Sequence, residues 1–440
     1  MTSTAADPLS GSDRAFGRGH IFIIMVLALL TASSTVALRA ATAEHVRLDF
    51  LVSLNQTQSS ELLGSVLGTA FAGFSLTLFI ASPLLHLITM RRALILSASL
   101  LIVGMLIVAN AGVIASGYGV FYVLVFATLL QGIGWGLVEA VINPLTSALF
   151  TEDRTHRLNM LHAWFPAGIV VGSLIALGVD AAGLDWRWAM LPSGLGAALV
   201  LVLAWRASFP SASHVTAGAS MGEMFGAMLR QPSIFLWFIV MTMTATAEFA
   251  PGQWVDFALS EIVGMRGILL LIYVSGLMFV MRHFAGPLVK RLSNIGLLLI
   301  SACFATIGLL ALSVANSPAS ALLAATAWGV GVCYFWPTML ATVAERYPRG
   351  GTLVYGFMGS AGAAATYLVL PLLGRIYDQA KNAAAGGPEK LAAMSVEALK
   401  GPLAAGAAAS FQAVALIPIV LIGVFGLIGL YDLRRRKGTR

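Results

Sequence analysis

Charge is what this chain has least of. Only 10% of its 440 residues are Asp, Glu, Lys or Arg, against about 25% in an average soluble protein. So few charges cannot cover the water-facing surface of two or three soluble domains. Cysteine is nearly absent: Cys303 and Cys333 both sit in apolar runs, which supports no disulfide framework and leaves two packing residues. The histidines at 20, 45, 86, 156, 162, 214 and 283 are scattered without metal-ligand spacing, and a membrane-embedded enzyme would be expected to cluster them at one surface. No Gly-x-x-x-x-Gly-Lys-Ser/Thr occurs, so nothing supports an ATP-driven pump within this chain. The pI near 9.6 invites a nucleic-acid reading, but the basic residues stand in ones and twos between apolar runs. That spacing sets membrane orientation and builds no phosphate-binding face.

What is present is hydrophobic sequence, at 58% of the chain. A membrane span takes about 20 apolar residues, so with short loops there is room for a dozen. The expectation is an all-α polytopic membrane protein. Cutting at polar breaks gives spans at 20–43, 60–85, 93–112, 120–148, 159–178 and 188–205, then at 234–255, 267–289, 295–314, 320–343, 352–373 and 411–431. The first run lacks a short apolar core with a cleavage pattern and reads as a retained helix. Residues 1–19 form an N-terminal tail, 206–233 a linker rich in Pro, Ser and Gly, and 432–440 a basic C-terminal tail. Two six-helix halves, 20–205 and 234–431, follow from that division. The connection 374–410 reads as a long loop with a short surface helix around 388–399.

With the N-terminus in the cytoplasm, seventeen Lys and Arg fall on the cytoplasmic side and seven opposite; Arg39 and Arg282 lie inside spans. The positive-inside rule therefore puts both termini in the cytoplasm of a cell bounded by a plasma or inner membrane. The halves also repeat. Ala81-Ser82-Pro83-Leu84-Leu85-His86 closes span 2, and Ala285-Gly286-Pro287-Leu288-Val289-Lys290 closes span 8. Gly132-Ile133-Gly134 in span 4 answers Gly329-Val330-Gly331 in span 10, and each is followed by a proline, Pro144 or Pro337. Features recurring six spans apart describe a parallel repeat, with the default substrate cavity between the halves near the midplane.

This pattern resembles the major facilitator superfamily along essentially the whole chain. After span 2 the sequence keeps the basic pair Arg91-Arg92 of that superfamily's loop motif but not its acid or glycines. Glu139-Ala140-Val141-Ile142-Asn143-Pro144, followed by Arg157-Leu158-Asn159-Met160-Leu161-His162, is similar to the fucose permease-like branch of sugar:proton symporters. The resemblance implies two pseudo-symmetric six-helix bundles, a proton-coupling role for Glu139 and a sugar contact at His162. Where the branch has an acid in span 1 this chain has Ala40 beside Arg39, and a further sugar-contacting position is Phe165.

The residues themselves supply candidates. Glu139 lies about 27 Å along its helix, where a carboxylate is costly unless paired or facing a wet cavity. It reads as a proton carrier or as a structural hydrogen-bonded acid. Glu248, about 21 Å into span 7, reads as a second proton carrier or as one half of an ion pair. Pro251-Gly252 just beyond it is expected to break or bend that helix. Arg39 is placed to snorkel to the interface; the sharper alternative has it pair with Glu139 or Glu248, or grip an anionic substrate group. Arg282 and His283 are expected to join a gate network with the Lys290-Arg291 loop. Sugar recognition needs hydrogen-bonding groups beside apolar rings, which nominates Gln131, Trp135, Asn143, His162, Trp164, Gln253, Trp254, Tyr334 and Trp336. The leading expectation is a monomeric secondary transporter, not an enzyme, without a metal or bound cofactor. Its coupling ion would be the proton, and its partners the lipid bilayer and a small sugar substrate. A drug or metabolite efflux antiporter of the same fold is the alternative, ahead of an embedded enzyme or a non-transporting sensor.

Overall fold

The computed structural model describes residues 17–85, 88–150, 154–210, 221–347 and 351–438. Every regular element among them is helical. Eleven of these helices are long and apolar enough to cross a membrane. We label the spans α1 (Arg18–Ala41), α2 (Ser59–Leu84), α3 (Met90–Ala109), α4 (Tyr118–Leu149), α5 (Arg154–Ala181), α6 (Met190–Arg206), α7 (Ser233–Val263), α8 (Ile268–His283), α9 (Arg291–Leu312), α10 (Pro318–Val343), α11 (Gly351–Ala385) and α12 (Val396–Gly438). The short one, α8, kinks at Phe284; helix resumes at Ala285, and Ser293, whose φ is 60°, makes the turn within the first residues of α9. Long exposed apolar side chains such as Leu323, Leu368 and Leu427 point away from the bundle, toward the place of lipid.

The glycine pairs read from the sequence sit where their repeat predicts. A Cβ on Gly132 would lie 1.9 Å from the Ala70 carbonyl oxygen of α2, and one on Gly134 2.9 Å from the Ser97 oxygen of α3. In the second half a Cβ on Gly329 would meet Val274 of α8, and one on Gly331 would lie 2.2 Å from the Ala305 nitrogen of α9. The same two glycines thus face the same two neighbours in both bundles, as a parallel repeat requires. Gly168 and Gly172 instead seat α5 on α1, within the first half.

Other glycines join the halves. A Cβ on Gly64 would come 2.4 Å from the Leu370 oxygen, and one on Gly374 2.3 Å from the Ser60 oxygen. Gly356 lies against Ser82 at the opposite end of the same pair. Helices α2 and α11 therefore touch backbone to backbone along their length, and Ser75 Oγ donates to the Ser360 carbonyl at 2.7 Å midway. At the face where α1 ends, which we term the far face, polar bonds close the same seam. Asp378 Oδ2 accepts from the amides of Ser60 (3.1 Å) and Glu61 (3.2 Å), the first turn of α2. Arg375 pairs with Glu61 at 2.6 Å, Arg266 pairs with Asp180 of α5, and Arg47 lies over the Phe257 ring at 5.5 Å.

The structure refines three local expectations. Residues 374–410 are not a long loop: α11 runs on to Ala385, one turn spans Pro388–Ala392, and α12 starts at Val396. The Ala-rich sequence continues both helices beyond the bilayer core, since 35 residues reach about 52 Å against a core of about 30 Å. The 206–233 stretch holds a helix, Met221–Leu229, with 211–220 outside the described residues. Pro251 does not break α7, which stays helical from Ser233 to Val263. The carbonyl that Pro251 leaves without an amide partner, that of Ala247, accepts instead from Trp328 Nε1 at 3.2 Å.

The glycine contacts give a direct test. Gly132→Val should lower the melting temperature of detergent-purified protein by several degrees, because overpacking costs about 1–3 kcal/mol. Gly178→Ala, with nothing within 4 Å of its Cβ position, should leave it unchanged or slightly higher. Equal behaviour of the two variants would contradict the α2–α4 contact.

Candidate functional site

Prolines set the chemistry at the centre. A proline inside a helix leaves the carbonyl four residues earlier without its amide donor. Pro166 in α5 releases the carbonyl of His162, and Pro337 in α10 that of Cys333. Both are taken by one side chain, Arg282 of α8: Nη1 donates to His162 O at 3.3 Å and Nε to Cys333 O at 3.2 Å. Its remaining Nη2 donates to Glu248 Oε1 of α7 at 3.1 Å. The other oxygen of Glu248 accepts from the backbone amide of Trp336, at 3.3 Å, where α10 is interrupted. A buried guanidinium is tolerated only when its charge and donors are matched, and here three elements match them.

The first half supplies a second chain of bonds. Asn143, one turn after Glu139 on α4, donates Nδ2 to Glu139 Oε2 (2.9 Å) and to the Glu139 carbonyl (3.1 Å). Its Oδ1 meets His162 Nε2 at 2.7 Å. With the amide in that orientation Nε2 carries the hydrogen. The Trp135 indole, one turn earlier, lies within electrostatic reach of the same carboxylate but makes no hydrogen bond of normal geometry. Glu139, Asn143 and His162 are thus joined side chain to side chain. The His162 backbone oxygen then carries the link to Arg282 and Glu248, from one bundle to the other. Both acids and Arg282 are at most 7% exposed.

Aromatic rings fill the space beside this path. Trp135 stacks on Phe165 with centroids 5.7 Å apart and packs on Phe74 at 4.0 Å. Phe249 of α7 contacts Phe71, Phe165, Trp135 and Trp336, at 5.9, 6.2, 6.3 and 5.4 Å. Rings from α2, α4, α5, α7 and α10 therefore form one cluster across the interface. Phe71, Phe74 and Phe249 were not among the sequence candidates, because an isolated Phe in an apolar run carries no signal of its own.

The remaining candidates lie elsewhere. Arg39 does not snorkel and meets neither acid: it is buried, and its Nη1 donates to Gln131 Oε1 at 3.0 Å. Gln131 is thereby the partner of Arg39 inside the first bundle rather than part of the central cluster. Arg282 turns inward to Glu248, while His283 sits on the Phe279 carbonyl at 2.7 Å; Lys290 and Arg291 lie in helix, and the Lys290 side chain is outside the described residues. Trp164 is 36% exposed and packs edge-on against Phe279. Tyr334 donates its hydroxyl to the Met281 carbonyl at 3.2 Å, closing the kink of α8. Gln253 and Trp254 are buried farther along α7, where Trp254 contacts Phe257 and Tyr377. Among the described residues no group of His, Cys, Asp and Glu could hold a metal ion.

Comparison with known proteins places this geometry in context. The profile of the Major Facilitator Superfamily matches residues 21–371. No curated protein sequence matches the chain. Among solved structures, the xylose transporter XylE of E. coli, in a partially occluded inward-open form, superposes with a TM-score of 0.71 at 15% identity, covering 91% of this chain and 98% of that one. A variant of the nucleoside transporter NupG gives 0.67 at 10% identity, covering 93% and 99%. The transporter FucP in its outward conformation gives 0.53 at 16% identity, covering 90% and 98%. Identities this low speak to fold alone.

The ion pair can be tested without a substrate. Removing one partner of a buried pair costs about 3–5 kcal/mol, because the other charge is left alone. Arg282→Leu and Glu248→Leu are each expected to lower stability strongly, and the double variant to lose far less than their sum. Additive losses in such a cycle, read from thermal unfolding in detergent, would mean that the two side chains are not coupled.

Proposed function

Because the chain belongs to the Major Facilitator Superfamily, we propose that it is a secondary active transporter working by alternating access in the plasma or inner membrane. In this reading both termini are cytoplasmic, and a monosaccharide or close derivative enters the cell together with protons. The observation that carries the proposal is the hydrogen-bonded path joining Glu139 and Glu248 through Asn143, His162 and Arg282. Two buried carboxylates on opposite bundles suit a carrier whose protonation is tied to the relative position of its halves. Protonating Glu248 removes the charge that holds Arg282, and the guanidinium bridge to α5 then loses its counter-ion. Protonating Glu139 changes what Asn143 and His162 can offer to a bound hydroxyl.

A sugar fits the remaining surface. Its apolar face stacks on rings of the Trp135, Phe165 and Phe249 cluster, while His162, Asn143 and Trp336 stand at the edge with polar groups. The resemblance of Glu139 to Pro144 and of His162 to the fucose permease-like branch favours the same substrate class. A second reading rests on the same rings: beside two carboxylates they also fit an apolar cation exported in exchange for protons. The nucleoside transporter among the structural neighbours keeps the substrate class open to base-bearing molecules as well.

Two measurements separate these readings. Glu139→Gln should abolish proton-driven concentrative uptake while counterflow exchange survives; full accumulation by that variant would remove Glu139 from coupling. A thermal-shift screen of the purified protein should show stabilisation by a neutral sugar, since a ligand at a hundred times its Kd adds about 2.7 kcal/mol to the folded state. Stabilisation only by lipophilic cations would replace import by efflux.

A further inference from the structure

One buried charge takes no part in the path between the acids. Arg39 of α1 is 6% exposed, and of its three nitrogens only Nη1 has a partner, Gln131 Oε1. Its Nε and Nη2 are buried with no hydrogen-bond partner. Arg39 lines a cavity inside the first six helices, shared with Thr35, Thr42, Thr128 and Gln131 and otherwise walled by apolar side chains from α1, α2, α3, α4 and α6. No acidic side chain lines this cavity. Gln131 stands eight residues before Glu139 on α4, about 12 Å along the helix, so the cavity is separate from the central cluster.

A guanidinium in this setting lacks what the other buried arginine has. Arg282 is matched by a carboxylate and two freed carbonyls; Arg39 has one neutral amide oxygen. Burying an uncompensated cation costs several kcal/mol even after relaxation, and neutral water in the cavity supplies no counter-charge. The cavity does supply donors. With Oε1 engaged, the amide NH2 of Gln131 remains available. The hydroxyls of Thr35, Thr42 and Thr128 now donate to carbonyls of their own helices, at 2.7, 2.7 and 3.0 Å, and a hydroxyl can rotate its hydrogen toward a stronger acceptor.

We propose that Arg39 anchors a binding site for a small inorganic anion of the halide type, enclosed within the first bundle and distinct from the transport site. The narrow space beside the guanidinium suits an ion of one or a few atoms, not a sugar. Arg39 Nε and Nη2 supply the charge-assisted bonds, with the Gln131 amide and the threonine hydroxyls completing the shell. The ion ties α1 to α4 inside the bundle and neutralises the charge that the fold leaves open.

The test uses the full-length protein in detergent, dialysed into gluconate and titrated with sodium chloride or bromide at constant ionic strength. The melting temperature should rise saturably by several degrees. Arg39→Gln should lose that dependence, and Glu139→Gln, which alters the proposed coupling path, should keep it. Bromide-soaked crystals should show anomalous density beside Arg39, a readout that needs no variant to fold. No halide-specific shift in the wild type, an equal shift in Arg39→Gln, or anomalous maps empty beside Arg39 would overturn the proposal. Failure of Glu139→Gln to affect uptake would bear on the transport reading alone.

Discussion

The Arg282–Glu248 pair is the constraint around which the centre of this molecule is organised. A guanidinium buried between two bundles needs five donors matched in a place with little water. Its carboxylate comes from α7, and its two backbone acceptors come from helices of different bundles, each released by a proline four residues on. The interruption of α10 at Cys333 and Tyr334 belongs to the same arrangement, because it also frees the Trp336 amide for the second oxygen of Glu248. A single side chain thereby explains why helices α5, α7, α8 and α10 meet as they do.

The two bundles are not electrically equivalent around this pair. In the first half Glu139 faces the amide of Asn143, which in turn holds the His162 imidazole, while in the second Glu248 faces a cation. The acid with a neutral partner can change its protonation with little disturbance of its surroundings; the other cannot without releasing Arg282. The two carboxylates thus sit in different electrostatic surroundings even though the backbone repeat is close to symmetric.

Much of the architecture was legible in the sequence because hydrophobic length and charge placement are imposed directly by the bilayer. Gly132 and Gly134, set against Gly329 and Gly331, carried the repeat, since no other residue lets backbones come so close. The ends of α11 and α12 were harder. There Ala-rich segments continue a helix past the membrane without the apolar signal that marks a span, and a reading by polar breaks stops too early. Arg282 was misplaced for a different reason. It was grouped with the basic residues that follow it, Lys290 and Arg291, whereas its side chain turns inward to Glu248. Pro166 and Pro337 held the missing signal: each leaves an orphan carbonyl, and a long donor within the spans was needed to take both. The aromatic cluster was only half visible, because Trp135 and Trp336 stand out among apolar residues while Phe71, Phe74 and Phe249 do not. Arg39 was read from position alone, and position could not tell that Gln131 faces it.

The seam between α2 and α11 has one further consequence. Gly64, Gly68 and Gly374 bring the two backbones together, while farther along Leu78 lies on Gly359, Ser82 on Gly356, and Phe79 packs against Phe357 at 4.9 Å. Its far end is different in kind. There Arg375 and Glu61 reach water, while the Asp378 carboxylate stays buried between the first amides of α2 and the ammonium of Lys381 at 2.7 Å. Such an end is a clasp with a wet rim and a dry root: salt in the medium weakens its outer pair, while its inner carboxylate opens only if something replaces Lys381 and the two amides.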